Sequence, residues 1–114
     1  MSRHNIDEQL TLDAALWKAW SDNGVRDGTT LTVDFTFYAS KANRAEALVE
    51  ALKARGYQVE LRSERTFLLF KGWVVEAHIN GPWSLSRLQQ AGREFCELAD
   101  QHSALYDGAG AEMP

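Results

Sequence analysis

The sequence has little of what several classes of protein require. Its only cysteine is Cys96, so no disulfide can form within the chain. The longest apolar runs, such as residues 67–70, are far shorter than the roughly 20 residues that a membrane-spanning helix needs. No apolar stretch near the N-terminus resembles a signal peptide. We therefore expect a cytoplasmic protein that does not cross a membrane.

Basic residues and catalytic motifs are also scarce. The chain has 12 lysines and arginines against 16 acidic residues, a net charge of -4, and the basic residues are scattered. Direct binding of nucleic acid is therefore not expected, because phosphates would be repelled. His4, His78 and His102 lack the spacing of metal ligands, and no GxSxG, P-loop or GxGxxG motif occurs. We expect no catalytic residues, no metal and no cofactor, and Cys96 is interpreted as a helix packing residue.

The remaining composition is that of a single globular domain. With 114 residues, of which 45% are hydrophobic, one domain over 1–114 is expected, with a leader helix within 1–24 and a core over 30–113. Thr11 is predicted to cap the leader helix, which Asn23-Gly24 ends. Its apolar stripe is predicted to comprise Leu12, Ala15, Leu16, Ala19 and Trp20.

The next segment has the pattern of a strand followed by a helix and a second strand. Residues 31–38 alternate between apolar and polar side chains, which predicts a strand. Ser40 is predicted to cap a helix that ends at Gly56. A strand over 57–61 follows, and the polar residues 62–65 are predicted to separate it from the apolar stretch 66–79.

The second half repeats the pattern. Residues 66–79 are predicted to form one long strand, with a hairpin at Lys71-Gly72 as the alternative. Residues 80–82 are predicted to break it, and Ser84 to cap a helix to about His102. Gly92 within this helix indicates close backbone packing. A short last strand begins at about Leu105.

The predicted order after the leader is β-α-β-β-α-β. This favours an α+β fold, a ferredoxin-like sandwich with an extra N-terminal amphipathic helix. Both helices would cover one face of an antiparallel sheet. The other face would be covered by the leader helix, by a partner, or by a second copy in a homodimer.

Three segments at these spacings resemble one family. They are residues 56–59 (Gly-Tyr-Gln-Val), the aliphatic strand that ends near Ile79, and the closing Tyr106-Asp107-Gly108. Together they resemble the regulator of ribonuclease activity B (RraB) family, with Ala109 where that family commonly has tryptophan. The resemblance implies a ferredoxin-like regulator without catalytic residues, which binds the noncatalytic region of the endoribonuclease RNase E.

The predicted partner-binding residues are Trp73, Tyr106, Asp107 and Gly108. Tryptophan is enriched at interfaces, although cores also use it. The Tyr106–Gly108 segment has two interpretations: it is a recognition edge, or Asp107-Gly108 forms a turn that closes the sheet.

Two alternative functions are open from the sequence. An apolar pocket lined by Phe35, Phe37, Phe70 and Trp73 would make the protein a small-ligand-binding module. The run Lys71-Gly72-Trp73 partly resembles the signature of RNA-recognition motifs, which share the βαββαβ order. That reading requires exposed aromatic side chains and basic surroundings.

Overall fold

The computed structural model describes residues 4–66 and 70–113. Within them the elements follow in the order α1 (Ile6–Asp22), β1 (Thr29–Ala39), α2 (Ala42–Ala54), β2 (Gln58–Thr66), β3 (Phe70–Trp83), α3 (Leu85–Gln101) and β4 (Leu105–Ala111). The strands form an antiparallel sheet in the order β2-β3-β1-β4. The predicted α+β class is confirmed.

The hydrophobic core lies between one face of this sheet and the helices. On β1 the odd-numbered side chains from Leu31 to Ala39 are buried, while the even-numbered ones are exposed or half-buried. This alternation is the period-two pattern seen in the sequence. α2 packs on β1, β2 and β3, and α3 packs on β4. Phe95 of α3 lies at the centre, with its ring centroid 4.8 Å from that of Phe35.

The leader helix α1 packs against α3, so it extends the helical layer instead of covering the opposite face of the sheet. Its docking therefore requires no second copy of the chain. The predicted N-cap at Thr11 is wrong, because the side chain of Asn5 accepts the hydrogen bond from the N–H of Glu8. Thr11 lies inside the helix and its hydroxyl donates to the carbonyl of Asp7.

The predicted apolar stripe of α1 is only partly correct. Trp20 is buried as expected, but Leu12 is 56% exposed, and Asp13 takes a position in the interior. The helix is rotated so that Gln9, Asp13 and Trp20 lie on the packed side. The hydrophobic pattern predicted that Leu12 would be buried and Asp13 exposed, because aspartate is rarely buried in proteins.

β2 is longer than predicted, whereas β3 has the predicted length of 14 residues but begins and ends four residues later than the predicted strand 66–79. Residues 62–65 continue β2 instead of separating two strands, because they pair in register with residues 71–74 of β3. β3 runs without interruption through Gly72, so the hairpin alternative at Lys71-Gly72 is wrong. The connection itself, residues 67–69, lies outside the described residues.

The predicted break at residues 80–82 is also wrong, since these residues pair with residues 30–32 of β1. Pro82 is tolerated there because the ladder between β2 and β3 ends at the pair Gln58–His78, which leaves this end of β3 with a neighbour on one side only.

The helix ends follow the predicted capping chemistry in part. Ser84 caps α3, and its hydroxyl accepts the N–H of Arg87 at 3.1 Å. Gly56 ends α2 with a φ of 87°, which an L-residue adopts only with strain. Ser40 is not the cap of α2, because Lys41 occupies that position without a side-chain hydrogen bond.

Candidate functional site

A cleft of about 330 Å³ lies between α1 and β4. We call it the α1–β4 cleft. Because α1 docks on α3, one side of the helix stands beside the last strand of the sheet. The cleft contains the predicted Tyr106–Gly108 segment. It is lined by Gln9, Leu12, Asp13 and Leu16 of α1 and by Tyr106, Asp107, Gly108 and Ala109 of β4.

Asp13 is the unusual residue of this cleft, because it is an acidic residue that is only 2% exposed. Oδ1 accepts a hydrogen bond from Nε2 of Gln9 at 2.9 Å. Oδ2 has no hydrogen-bond partner among the described residues and packs against Gly92 of α3. Burial raises the pKa of Asp13 above its ordinary 3.8, and the hydrogen bond from Gln9 offsets part of this effect.

The close approach of Asp13 explains the glycine in the middle of α3. A Cβ atom at position 92 would lie 2.3 Å from Oδ2 of Asp13, which is far inside van der Waals contact. The close packing predicted at Gly92 is therefore confirmed. Its cause is a contact with a polar group, which the sequence did not indicate.

Tyr106 forms the base of the cleft and is 7% exposed. Its ring packs 5.3 Å from that of Phe37 and 6.0 Å from that of Phe95. Its hydroxyl is buried without a hydrogen-bond partner among the described residues, and burial raises its pKa. Most of this side chain therefore belongs to the core.

The backbone of Tyr106 contacts the N-terminal segment. Its N–H donates to Nε2 of His4 at 2.9 Å, and Nδ1 of His4 lies 2.7 Å from Oδ1 of Asp100. Because Nε2 accepts a hydrogen bond, this geometry places the imidazole proton on Nδ1, facing Asp100. His4 thus links the start of α1, the end of α3 and the outer side of β4.

Asp107 and Gly108 form a β-bulge, so the predicted Asp-Gly turn is wrong. The register of β4 on β1 shifts between Phe35 and Phe37, and Gly108 has a φ of 99°. Asp107 is exposed at the mouth of the cleft. Ala109 is half-buried after the bulge and pairs with Phe35.

Trp73, the fourth predicted partner-binding residue, lies elsewhere. It is on β3, paired with Ala39, and β1 stands between it and β4. Its half-buried side chain packs against the core on the helix side of the sheet. The structure therefore brings Tyr106, Asp107 and Gly108 together in one cleft and leaves Trp73 outside it.

The face of the sheet opposite the helices carries charged side chains that pair with one another. Nδ1 of His78 lies 2.6 Å from Oδ1 of Asp34, and this hydrogen bond is the main cause that raises the pKa of His78. Arg62 and Glu76 form an ion pair at 2.5 Å. Asp34 and Glu76 thus each have a cationic or imidazole partner on a neighbouring strand.

This arrangement weighs against the RNA-binding alternative. The face that would stack bases carries Asp34, Glu60 and Glu76, which repel phosphates. Trp73 packs on the opposite side, toward the helices. The side chain of Lys71 lies outside the described residues.

The small-ligand pocket predicted from aromatic residues is filled by protein. Phe35 and Phe37 have no exposed surface, and Phe95 packs on both. The side chain of Phe70 lies outside the described residues. The predicted apolar pocket is therefore occupied by the domain's own core.

Cys96 is buried in α3, as predicted for a packing residue. Burial raises its pKa to about 11, so the thiol stays protonated at neutral pH and is a poor nucleophile. Among residues 4–66 and 70–113, no three potential ligands come together in a way that would hold a metal ion. No described helix combines the length and the apolar character needed to span a membrane.

The buried carboxyl group of Asp13 should make stability depend on pH. Because its pKa is higher in the folded chain than in the unfolded chain, the folded state binds the proton more tightly. The stability that this group contributes is complete below pH 3.8 and is lost as the pH rises through the folded-state pKa. We expect Asp13→Asn, which removes this ionisation, to gain stability relative to the wild type as the pH increases from about 4 to 7.

Urea unfolding of both proteins over this pH range would measure the effect. The difference between the two unfolding free energies isolates position 13, because all other titrating groups are common to both chains. A difference that stays constant with pH would contradict the expectation.

The sequence did not indicate that His4 and Asp13 belong to this site. It indicated close packing at Gly92 but not that the packing partner is Asp13. The one available signal was the glycine in the middle of α3. The packing partner of that glycine lies 79 positions earlier in the sequence, so only the tertiary structure identifies it.

Comparison with known proteins gives one result. A search of curated proteins finds no match. A family model described as "Regulator of ribonuclease activity B" matches residues 13–110, which include Asp13, Gly92 and the Tyr106–Gly108 segment. The match covers most of the 114 residues. The chain therefore belongs to the RraB family of regulators of ribonuclease activity.

Proposed function

We propose that this protein regulates a ribonuclease by binding it stoichiometrically, without chemistry of its own, and that the ribonuclease is RNase E. Membership of the RraB family carries this proposal. The α1–β4 cleft supports it as the contact surface, because it combines an exposed leucine, Leu12, with an exposed acid, Asp107, above buried polar groups. Interfaces commonly combine such apolar and polar groups. The compartment would be the cytoplasm.

The strand order supports the ferredoxin-like assignment within the α+β class. In each strand-helix-strand unit, the two strands flank a third, antiparallel strand: β3 lies between β1 and β2, and β1 lies between β3 and β4. This is the split βαβ arrangement. It makes β4 an edge strand and so brings the Tyr106–Gly108 segment to the border of the sheet.

The test is a cleavage assay with purified RNase E of the source organism and a fluorescent RNA substrate. We expect the cleavage rate to change and then saturate as the protein is added, and the protein alone to leave the RNA intact. Unchanged cleavage, together with no complex in sedimentation, would refute the assignment of RNase E as the target.

Two variants locate the contact surface. Reversing the exposed charge in Asp107→Lys should weaken binding about tenfold, the equivalent of 1.4 kcal/mol. The matched control is Glu50→Lys, the same charge change at an exposed position of α2, which packs over β1, β2 and β3. Tyr106→Ala is unsuitable, because removing this buried ring would damage the core. Equal affinities of the two lysine variants would contradict the proposed surface.

A further inference from the structure

The two edges of the sheet differ in how strongly their side chains disfavour pairing with a further strand. β2 forms one edge and carries the exposed polar side chains of Gln58, Glu60 and Arg62. Charged side chains such as those of Glu60 and Arg62 disfavour the pairing of another strand with an edge. β4 forms the other edge and ends in Gly108-Ala109-Gly110-Ala111, which are small residues. A Cβ atom built at Gly108 or Gly110 would meet no atom within 4 Å. The β4 edge therefore leaves room for another chain.

The backbone of β4 also offers hydrogen-bonding groups on its outer side. The N–H of Tyr106 points away from β1, because it donates to His4. Tyr106, Ala109 and Ala111 pair with Phe37, Phe35 and Val33 of β1, respectively, and these alternate residues of β1 share one backbone direction. The N–H groups of Ala109 and Ala111 therefore point outward as well. His4 occupies only the Tyr106 end of this row.

The surroundings of this edge are acidic. Asp107 and Glu112 are exposed on or next to β4. Asp7 and Glu8, also exposed, lie in the first turn of α1, shortly after His4 in the chain. The net charge of the whole chain is -4. A strand that pairs here would be favoured by basic side chains, and a second copy of β4 would bring like charges together.

We propose that the outer edge of β4 binds an extended, basic segment of the partner protein as a fifth strand of the sheet. Main-chain hydrogen bonds to Ala109 and Ala111 would provide the pairing, and the α1–β4 cleft would accept side chains on the helix side. This inference rests on the proposed function for the existence of a protein partner and specifies how that partner is held.

A phage-displayed library of random dodecapeptides is the probe, since it requires no assumption about the partner. We expect selection on the immobilised protein to enrich peptides in which lysine or arginine alternates with β-branched residues. Their affinity should fall severalfold as the salt concentration rises. Enrichment of acidic peptides, or no enrichment at all, would overturn the inference.

The Ala111→Pro variant removes one outward N–H while leaving the β1 ladder intact, and should reduce the affinity of enriched peptides at least tenfold. Edge positions of this kind tolerate proline. Circular dichroism checks that the variant is folded.

A second test needs no variant of the protein. An enriched peptide is N-methylated either at its odd-numbered or at its even-numbered residues, and only the set whose N–H groups face β4 should abolish binding. Equal binding by the two methylated peptides would overturn the inference.

The outcomes separate this inference from the proposed function. If the protein regulates RNase E and Ala111→Pro does so equally well, the edge inference fails and the function stands. If basic peptides bind the edge but RNase E is unaffected, the function fails and the edge inference stands. A dimer that forms with increasing concentration and is lost in Ala111→Pro would overturn the inference in favour of a second copy.

Discussion

Replacing Phe95 with alanine is expected to lower the free energy of unfolding by about 3–5 kcal/mol, the usual cost of removing a buried aromatic ring. Phe95 has no exposed surface and lies where α3 meets the sheet. Four aromatic rings surround it at centroid distances between 4.8 and 6.0 Å, so the cavity would be lined by large, rigid side chains that cannot collapse into it. These rings belong to Phe35, Phe37, Tyr57 and Tyr106.

Urea denaturation followed by tryptophan fluorescence would measure this loss. The matched control is Leu105→Ala, because Leu105 is also apolar but is 46% exposed, and its truncation should cost less than about 0.5 kcal/mol. A loss below about 1 kcal/mol for Phe95→Ala would contradict the central packing position assigned to this ring.

Replacing Gly92 with valine is expected to lower the free energy of unfolding by about 1–3 kcal/mol, the typical cost of overpacking. The added side chain would occupy the space of the Asp13 carboxyl group, whose Oδ2 lies 2.3 Å from the position of a Cβ atom. Asp13 is itself enclosed, so α1 must move away from α3 to make room. Outside such a contact, valine would be a slightly better helix residue than glycine.

The control for this prediction is a double-mutant cycle with Asp13→Ala. Removing the carboxyl group frees the space, so Gly92→Val should be markedly less harmful in the Asp13→Ala background, with a coupling of about 0.5–3 kcal/mol between residues in contact. Additive effects in the cycle would show that α1 and α3 do not meet at this pair.

Much of the fold was predictable because local patterns matched the final structure. The alternation of 31–38 produced β1 with its odd-numbered residues inward, Ser84 capped α3, and Gly56 ended α2. These features depend on side-chain period and on the chemistry of helix ends, which act over a few residues. The predicted α+β class follows from their order.

The errors arose where a distant neighbour decided the outcome. Residues 80–82 resemble a break but extend β3, because β1 offers partners for them. Asp107-Gly108 resembles a hairpin turn but forms a bulge, because β4 pairs with β1 and not with a strand that follows it. Leu12 resembles a core residue but is exposed, because α1 docks on α3 through the side that contains Asp13.

By itself, the sequence determined the class of fold, the approximate order of its elements and the absence of motifs for known catalytic chemistry. It also contained the three segments through which the chain resembles the RraB family, among them Tyr106-Asp107-Gly108. Only the tertiary structure decided which face α1 turns inward, that Asp13 is buried against Gly92, and that β4 is a weakly protected edge. The physical reason is that capping and periodicity are local properties, whereas the burial of a carboxyl group and the exposure of an edge depend on residues far apart in the chain.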